Sequence, residues 1–396
     1  MRLGIDLRQL QCTQRDSSLR RIVSNLLFQL ADSEEEKWLF YLDEDSLING
    51  KLNLAGYNYM PLPLPLGRRG YAARVTTDLI MPMRIRQLGL DVMLFAESFD
   101  EEIADAIPAW VPCPYIVVLH ELDALFFGEA SRRLAHPRRK RQLALLRNAK
   151  AIVTSSEFNR RNAAKRLGIP LEKITVIHPG ANANFHPVVD INELCRVWRT
   201  LNVTPPYFLA FGDECKNLPV TLRAFARVCR GSAANHSLVI AGERLACSEV
   251  AQMIIEQSGL TDKIVFTGTV SDKELCALYS GAQALVYPAQ NESFGLPVLE
   301  AMTCGTPVIC ARAGSLPEIA REAALYIDPS NAEDIAEQMQ HLIREPSFCR
   351  SMSARSKERA ANFSWRTTVN GIIELCYQVA ALPGRRWPEQ SNANPV

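Results

Sequence analysis

The chain has 396 residues, of which 47% are hydrophobic and 22% charged, and its 44 basic and 43 acidic side chains leave a formal net charge of +1. This composition is typical of a globular protein and excludes a disordered chain, a fibrous chain and a small disulfide scaffold. A net charge so close to zero gives no indication of nucleic-acid binding. At roughly 150 residues per domain, we expect two or three domains.

Cysteine spacing and hydropathy bear on the cellular setting of the chain. The eleven cysteines include no C-x-x-C pair, which indicates reduced thiols rather than a disulfide framework or a zinc site. A strand pattern begins directly after Met1, and no apolar stretch approaches the roughly 20 residues that a membrane span needs. We therefore expect a cytoplasmic protein, and no residue pattern in the chain indicates a metal or other cofactor.

Short apolar runs alternate with helical periodicity along the first half of the chain. The runs predict strands at Leu3–Leu7, Trp38–Leu42, Val92–Phe95, Tyr115–Leu119, Ala151–Thr154 and Ile174–Ile177. The periodic stretches predict helices at Leu19–Ala31, Val75–Leu88, Arg138–Ala149 and Glu157–Leu167. Repeated strand–helix–strand units favour a parallel sheet with helices on both faces.

The same alternation begins again after a stretch rich in proline and asparagine between Pro179 and Pro206. It predicts strands at Tyr207–Phe211, Leu238–Ala241, Ile264–Thr267, Ala284–Tyr287 and Pro307–Cys310, and helices at Leu218–Arg230, Ser248–Ser258, Asp272–Ser280 and Pro297–Thr303. The predicted fold class is therefore α/β, with two Rossmann-like, doubly wound parallel-sheet domains. We expect the two domains to face each other across a ligand cleft at the carboxyl ends of their strands.

The segment from Tyr287 to Met302 carries the clearest chemical signal, because it combines a strand, a tight turn and a helix. Pro297 suits the first helical turn, where its missing N–H costs nothing, and Gly295 lets a ligand approach the backbone. The amides of residues 293–296 and the positive end of the helix predict an anion site suited to a phosphate. Neither G-x-G-x-x-G nor G-x-x-x-x-G-K-[ST] occurs, so a dinucleotide site and a P-loop lack support.

Two carboxylates flank this turn, Glu292 before it and Glu300 in the helix. A carboxylate repels a neighbouring phosphate, whereas it can accept two hydrogen bonds from a vicinal diol. The segment therefore predicts a ligand that carries both a diphosphate and a sugar. The spacing alone is not specific, since four glutamate pairs in the chain share it, and a plain helix cap is the alternative interpretation.

The run E-S-F-G-L-P-V-L-E-A-M-T-C-G-T-P-V-I, at residues 292–309, resembles the donor-site signature of retaining glycosyltransferases of family 4, the group 1 glycosyl transferases. Other similar stretches extend the resemblance from Met1 to about residue 380, and they are Gly4–Arg8, Pro114–Leu122, Ala151–Phe158, Val176–Pro187, Thr267–Val270 and Phe363–Trp365. The resemblance implies the GT-B fold. Its domains would be an acceptor-side domain at 1–195, a donor-binding domain at 196–363, a last helix at 364–380 that crosses back to the first domain, and a flexible tail at 383–396.

The resemblance also implies an activity and roles for individual residues. The activity would be metal-independent transfer, with retention of configuration, of a hexose from a nucleotide diphosphate sugar to a glycan or lipid-linked acceptor in polysaccharide synthesis. The expected donor is UDP-glucose. Three catalytic residues are implied: Lys216 on the diphosphate, His120 beside the transferred sugar, and Glu292 on the sugar hydroxyls. The implied donor-binding residues are Gly212, Asn217, Thr269, Val270, Ser293, Phe294, Gly295, Leu296 and Glu300, with Glu300 on the ribose, the backbone near 269–270 on the base, and Asn217 at the cap of a helix.

Two features depart from the family pattern. The arginine that usually accompanies the phosphate lysine is missing, and Asp213, Glu214 and Cys215 precede Lys216 instead. The glycine-rich loop after the first strand is replaced by residues 12–20, which contain no glycine. These departures leave open an alternative class of protein, a catalytically weak or inactive pseudo-glycosyltransferase that binds a sugar nucleotide as a binding or regulatory module.

A basic cluster lies in the first half of the chain. Arg132–Arg147 contains seven arginines and lysines, and no acidic residue occurs between Ala130 and Ser156. The cluster predicts either a solvated helix face or attraction to an anionic membrane at about 1 kcal/mol per basic residue. Peripheral contact with the inner face of a membrane would suit a lipid-linked acceptor.

Overall fold

The structure is a computed structural model. It describes residues 1–7, 18–31, 33–41, 56–62, 75–98, 108–121, 137–182, 184–212, 216–230, 235–242 and 249–381. The chain divides into two compact units, one containing residues 1–180 and those from 365 onward, the other containing residues 181–364. Each unit is built on a parallel sheet, so the predicted pair of doubly wound α/β domains is confirmed.

The first unit contains a seven-stranded parallel sheet with strand order β3-β2-β1-β4-β5-β6-β7. Its strands are β1 (Arg2–Asp6), β2 (Glu36–Tyr41), β3 (Asn58–Pro61), β4 (Val92–Ser98), β5 (Tyr115–Glu121), β6 (Ala151–Thr154) and β7 (Ile174–Val176). Its described helices are α1 (Ser18–Leu30), α2 (Met81–Leu88) after a π-helical turn at Thr76–Ile80, α3 (Pro137–Asn148), α4 (Glu157–Leu167) and α13 (Trp365–Val379).

Helix α13 comes from the far end of the chain and packs on the first unit. Ile372 and Ile373 are buried in the same core as Leu27 of α1. The hydroxyl of Tyr377 donates a hydrogen bond to Oε1 of Glu35 at 3.1 Å. This unit therefore contains two segments of the chain that are separated by the whole of the second unit.

The second unit contains a six-stranded parallel sheet with strand order β10-β9-β8-β11-β12-β13. Its strands are β8 (Tyr207–Phe211), β9 (Ser237–Ala241), β10 (Ile264–Phe266), β11 (Ala284–Tyr287), β12 (Val308–Ala311) and β13 (Ala324–Ile327). Its described helices are α5 (Ile191–Thr200), α6 (Leu218–Cys229), α7 (Glu249–Gln257), α8 (Asp272–Gly281), α9 (Leu296–Thr303), α10 (Leu316–Ala320), α11 (Ala332–Arg344) and α12 (Pro346–Ala360). Every residue of β11 and β12 is buried, as expected for central strands that have helices on both faces.

The structure divides the chain earlier than the predicted boundary between residues 195 and 196. Hydrogen bonds tie residues 182–188 to α8 of the second unit. The amide of Val188 bonds to Oγ of Ser280 at 3.0 Å, and Nδ2 of Asn182 bonds to Oδ2 of Asp272 at 3.2 Å. The stretch rich in proline and asparagine therefore packs on the second unit, and α5, which the sequence does not predict, follows within it. The predicted tail at 383–396 lies outside the described residues.

None of the helices in the described part of the chain combines the length and the apolar character that a membrane span requires.

Candidate functional site

The topology of the second unit brings two loops together at the carboxyl edge of its sheet. Strands β8 and β11 are neighbours, and the strand order reverses between them. Doubly wound sheets bind ligands at such a switch point, because the two following loops leave on opposite faces and open a crevice. The loop after β8 carries Lys216, and the loop after β11 carries Glu292.

Lys216 and Glu292 form a short ion pair at this edge. Nζ of Lys216 lies 2.8 Å from Oε2 of Glu292, and the two side chains are only 21% and 14% exposed. The hydroxyl of Tyr287 donates to the same oxygen at 2.7 Å, and the lysine Nζ lies 5.2 Å from the centroid of the tyrosine ring. The predicted phosphate lysine and the predicted sugar carboxylate are therefore brought into direct contact, which the sequence did not indicate.

The backbone of Glu292 is held from a second direction by the segment after β12. Its carbonyl oxygen accepts hydrogen bonds from the amide of Ser315 at 3.0 Å and from Oγ of Ser315 at 2.9 Å. Gly314, with φ of +62°, packs so closely that a Cβ there would stand 2.7 Å from the carbonyl oxygen of Glu292 and 2.8 Å from its nitrogen. Glu292 is thus fixed through both its side chain and its main chain.

The predicted turn before α9 is present. Gly295 occupies the N-cap position of α9 with φ of +92°, and Leu296 is the first helical residue. A Cβ on Gly295 would meet Leu316 at 2.7 Å, so the turn has no room for a side chain at this position. Phe294 is buried and packs edge-on against Phe363 with the ring centroids 6.0 Å apart. The positive end of α9 therefore lies in the same loop as Glu292.

Glu300 lies in the body of α9 and is 3% exposed. Its Oε2 accepts a hydrogen bond from the hydroxyl of Tyr279 on α8 at 3.3 Å. The ring of Phe211, at the end of β8, has its centroid 6.4 Å from that of Tyr279 and 6.2 Å from that of Tyr287. One aromatic ring thus packs on both tyrosines that donate to the two predicted carboxylates.

Other predicted donor-binding residues lie along the same edge of the sheet. The amide of Gly212 donates to the carbonyl of Ala241 at the end of β9 at 3.0 Å, and the amide of Gly242 donates to the carbonyl of Gly268 after β10 at 3.2 Å. The residues that follow, Thr269 and Val270, are exposed and half-buried respectively. Ser293, next to Glu292, is buried.

Asn217 stands where the sequence predicts it, at the start of α6. It occupies the N-cap position of α6 with φ of +56°, but its side chain makes no capping hydrogen bond. Its Nδ2 instead donates to the carbonyl of Pro329 at 2.6 Å. The left-handed backbone turns the side chain away from the helix amides, so Asn217 connects the loop after β8 to the segment after β13.

Several predicted residues, or their side chains, lie outside the described part of the chain. His120 lies in β5 of the first unit, but its side chain is outside the described residues, as are Asp213–Cys215 and residues 8–17. Of the basic cluster, Arg132 and Arg133 also lie outside, and no side chain is described for residues 138–141. Nη2 of Arg147, at the last turn of α3, donates to the carbonyl of Leu167 at 3.0 Å. Among the described residues, no group of three or more His, Cys, Asp or Glu side chains is arranged to hold a metal ion, and metal-independent transfer stays a prediction.

The sequence did not single out Tyr279, Tyr287, Gly314 or Ser315. A signal was available for the last two, because the A-G-S-L-P stretch at residues 313–317 follows β12 in much the way that S-F-G-L-P follows β11. The tyrosines carry no such signal, since each is one aromatic residue within an apolar strand or helix.

Two doubly wound parallel-sheet units, with a lysine–glutamate pair at the switch point of the second, define a GT-B glycosyltransferase fold. The sequence model described as "Glycosyl transferases group 1" matches residues 206–359, and that of "Glycosyltransferase Family 4" matches residues 23–185. The chain belongs to glycosyltransferase family 4, as the sequence resemblance implied.

Relatives and solved structures show where this chain is similar to known proteins. The O-antigen chain mannosyltransferase B of Escherichia coli is 29% identical over 230 residues, which cover 58% of this chain and 60% of that protein. The serotype-specific mannosyltransferase WbdA of Escherichia coli is 27% identical over 293 residues, covering 72% and 36%. The structure of Anabaena HepE in complex with UDP-glucose has a TM-score of 0.73 at 15% identity, covering 96% of this chain and 100% of that one. The alignments thus span less than two thirds of either mannosyltransferase, and the likeness to HepE shows the fold.

Proposed function

We propose that this protein transfers a hexose from a nucleotide diphosphate sugar to a glycan or lipid-linked acceptor in polysaccharide synthesis, with retention of configuration. The observation that carries the proposal is the contact between Lys216 and Glu292 beside the start of α9. It combines a cation, a helix N-terminus and a carboxylate at a switch point. Together they suit a ligand with a charged diphosphate and a hydroxyl-rich sugar.

The proposed chemistry needs stabilisation of negative charge on the leaving diphosphate. Lys216, the amides of residues 293–296 and the positive end of α9 would supply it as fixed charge and dipoles. An ammonium has three N–H donors, so Lys216 can contact a phosphate oxygen while it keeps its bond to Glu292. The carboxylate would then accept hydrogen bonds from the sugar hydroxyls, with His120 beside the sugar.

Two donor sugars, glucose and mannose, are each favoured by a different observation. UDP-glucose remains our proposal from the sequence, and HepE, which has this fold, was solved with that ligand. The relatives named as mannosyltransferases favour mannose as the transferred sugar. Titration calorimetry with UDP-glucose, UDP-mannose, GDP-glucose and GDP-mannose separates these possibilities, and we expect one donor to bind at least tenfold more tightly than the others.

Transfer must be measured together with binding, because the alternative is a pseudo-glycosyltransferase. We expect sugar transfer from the tightest donor to a glycan or lipid-linked acceptor, or slow donor hydrolysis in the absence of acceptor. Tight binding of a donor with neither transfer nor hydrolysis would establish the binding module instead. Failure of every nucleotide sugar to bind would contradict both.

Replacement of Lys216 by Ala tests the proposed diphosphate contact. Loss of a charge-assisted hydrogen bond costs about 1.5–3 kcal/mol, so we expect the Kd of the nucleoside diphosphate to rise by roughly 10- to 100-fold. Lys273→Ala is the matched control, because that lysine pairs with Glu193 at 3.1 Å on the surface of the same unit. An unchanged Kd in Lys216→Ala would remove the lysine from the site.

The basic cluster supports a further proposal about the acceptor. If Arg132–Arg147 attracts the protein to anionic lipid, liposomes with about 30% anionic lipid should carry the protein in flotation, whereas neutral liposomes should not. Raising the salt concentration should release it. Equal flotation with both kinds of liposome would make the cluster a solvated helix face.

A further inference from the structure

Each predicted carboxylate of the donor site has a tyrosine hydroxyl as a hydrogen-bond donor. Tyr287 donates to Oε2 of Glu292 at 2.7 Å, and Tyr279 donates to Oε2 of Glu300 at 3.3 Å. Both tyrosines are 0% exposed. A hydroxyl and a carboxylate that are shielded from water both need hydrogen-bond partners. In each tyrosine–glutamate pair, the two groups supply that partner to each other.

The two tyrosine rings are held in place by packing. Phe211 packs edge-on against Tyr287 and in a tilted arrangement against Tyr279. The ring of Tyr279 also lies edge-on to the ring of Phe185, with the centroids 5.9 Å apart. The backbone carbonyl of Tyr279 accepts a hydrogen bond from Oγ1 of Thr306 at 2.7 Å. The hydroxyl positions are therefore set by the core of the unit rather than by flexible side chains.

A tyrosine hydroxyl orients a carboxylate without neutralising it. Lys216 also contacts Oε2 of Glu292, so among the described residues both side-chain donors to this carboxylate bind the same oxygen. The orientation of Oε1 is therefore fixed by the two contacts that Oε2 makes. That arrangement suits a carboxylate that accepts hydrogen bonds from a ligand hydroxyl.

We propose that Tyr287 and Tyr279 are positioning residues with separate tasks. Tyr287 orients Glu292 toward the transferred sugar, and Tyr279 orients Glu300 toward the nucleoside. The inference rests on the proposed function, because it takes the sugar and ribose roles of the two glutamates from there. It adds two residues and assigns each to a different half of the donor.

The test removes one hydroxyl at a time and measures both halves of the donor. Tyr287→Phe and Tyr279→Phe keep the ring and its packing. The probes are UDP and UDP-glucose, or GDP and GDP-mannose if the donor panel favours them. Each hydroxyl donates a charge-assisted hydrogen bond to a carboxylate, and the other contacts of that carboxylate remain in the variant, so a loss of roughly 3- to 10-fold is expected where a tyrosine acts.

Tyr287→Phe should weaken binding of the nucleotide sugar and lower kcat, while the Kd of the nucleoside diphosphate changes by less than about 2-fold. Tyr279→Phe should raise the Kd of the nucleoside diphosphate and of the nucleotide sugar equally, with kcat nearly unchanged. The assignment would be overturned if the two variants exchanged these effects. It would also be overturned if both variants changed kcat and both Kd values to the same extent.

Tyr57→Phe is the matched control for loss of a buried hydroxyl. Tyr57 is 7% exposed, lies in the core of the first unit, and donates to the carbonyl of Leu27 at 2.6 Å. We expect lower stability with unchanged kcat and Kd. If the two site variants behave like this control, the tyrosines are structural only.

Variants of the two glutamates distinguish failure of this inference from failure of the proposed function. If Glu292→Gln and Glu300→Gln change no binding constant and no kcat, the proposed function fails. If both glutamate variants show their effects while the tyrosine variants do not, only the positioning inference fails.

Discussion

Glu292 is central to the proposed donor site, because it connects its own loop to three other parts of the second unit. Its side chain contacts the loop after β8 and the end of β11, and its carbonyl contacts the start of α10. The ion pair with Lys216 is partly removed from water, so loss of one partner leaves a poorly solvated charge. A substitution that moves this residue should therefore affect both stability and donor binding.

Gly314→Ala tests the importance of the backbone of Glu292. The new Cβ would stand 2.7 Å from its carbonyl oxygen, closer than non-bonded atoms approach, so the glutamate must move. We expect loss of nucleotide-sugar binding and a drop in unfolding free energy of more than about 2 kcal/mol, of which roughly 1–2 is left-handed strain. Urea unfolding and calorimetry measure the two effects.

Gly259→Ala separates the strain from the clash. Gly259 has a nearly equal φ of +63°, but nothing lies within 4 Å of an added Cβ. This variant should lose about 1–2 kcal/mol from strain alone and bind donor as the wild type does. Equal losses in the two glycine variants would show that the fit against Glu292 is unimportant.

Part of the site could be predicted from local sequence, and part depends on contacts between distant residues. The turn at Gly295 and the start of α9 follow from neighbouring residues, because glycine permits positive φ and proline suits the first helical turn. The bond from Tyr287 to Glu292 and the fit of Gly314 depend on side-chain direction and on the pairing of β11 with β12. Neither property is carried by residue spacing along the chain.

At the scale of elements, α8 shows how a local signal fixes a helix that carries a positioning residue. Its first turn is a capping box: Oγ of Ser271 accepts from the amide of Glu274 at 3.3 Å, and Oε2 of Glu274 accepts from the amide of Ser271 at 2.8 Å. The hydrogen bonds from the side chain and backbone of Ser271 hold the pKa of Glu274 below its usual value. The start of the helix that presents Tyr279 is therefore more stable when Glu274 is ionised.

Glu274→Gln should make this contribution visible as a dependence on pH. Because the pKa is lower in the folded state, the stabilisation is complete above the unfolded value of about 4.3 and is lost as pH falls through the folded value. We expect the variant to be about 0.3–1 kcal/mol less stable at pH 7, because the neutral amide loses the negative charge at the helix N-terminus. The difference should shrink as the pH falls below about 4.

The measurement is urea unfolding of the wild type and of Glu274→Gln from pH 7 to pH 3. Glu256→Gln, on the exposed surface of α7, is the control and should be neutral throughout. A deficit in Glu274→Gln that stays constant across this range would contradict the linkage.

Buried central elements were predictable because their apolar runs are continuous. The predicted bounds of the strands β6, β8 and β11 match the structure. Those of the polar helix α4 also match, because Gly168 marks its end. Strand β3 was missed because it is a largely exposed edge strand, so its sequence lacks a long apolar run. Strand β13 was missed although its four residues are all apolar. Helix α5 was missed because its buried residues, Leu194 and Val197, are separated by polar and charged positions that were assigned to a linker.

At the scale of the whole molecule, the two units have separate cores. The large core of the second unit draws on residues between Phe185 and Phe363. One of the two main cores of the first unit draws on β1, α1 and β4 together with α13. Periodicity alone indicates that α13 is a helix but not which sheet it covers, and the family resemblance supplied that part of the prediction.

The last prediction follows from this arrangement and concerns how the units fold when they are separated. A fragment of residues 181–364 should unfold cooperatively and bind the nucleoside diphosphate, because its core and Lys216, Glu292 and Glu300 are all within it. A fragment of residues 1–180 lacks α13, whose Val369, Ile372 and Ile373 are buried in the core of the first unit. Burial of three such side chains is worth roughly 5–9 kcal/mol as an upper estimate, comparable with the whole stability of a domain.

We therefore expect the fragment of residues 1–180 to remain unfolded or loosely packed by circular dichroism and urea titration, and to gain cooperative unfolding when residues 365–381 are fused to its end through a flexible linker. The same fusion with Ile372 and Ile373 both replaced by Asp is the control, since it restores chain length without the apolar face. Cooperative unfolding of residues 1–180 alone, at the urea midpoint of the fused fragment, would mean that α13 contributes little to the first unit. It would also mean that the residues before 181 have a sufficient core in β1–β7 and α1–α4.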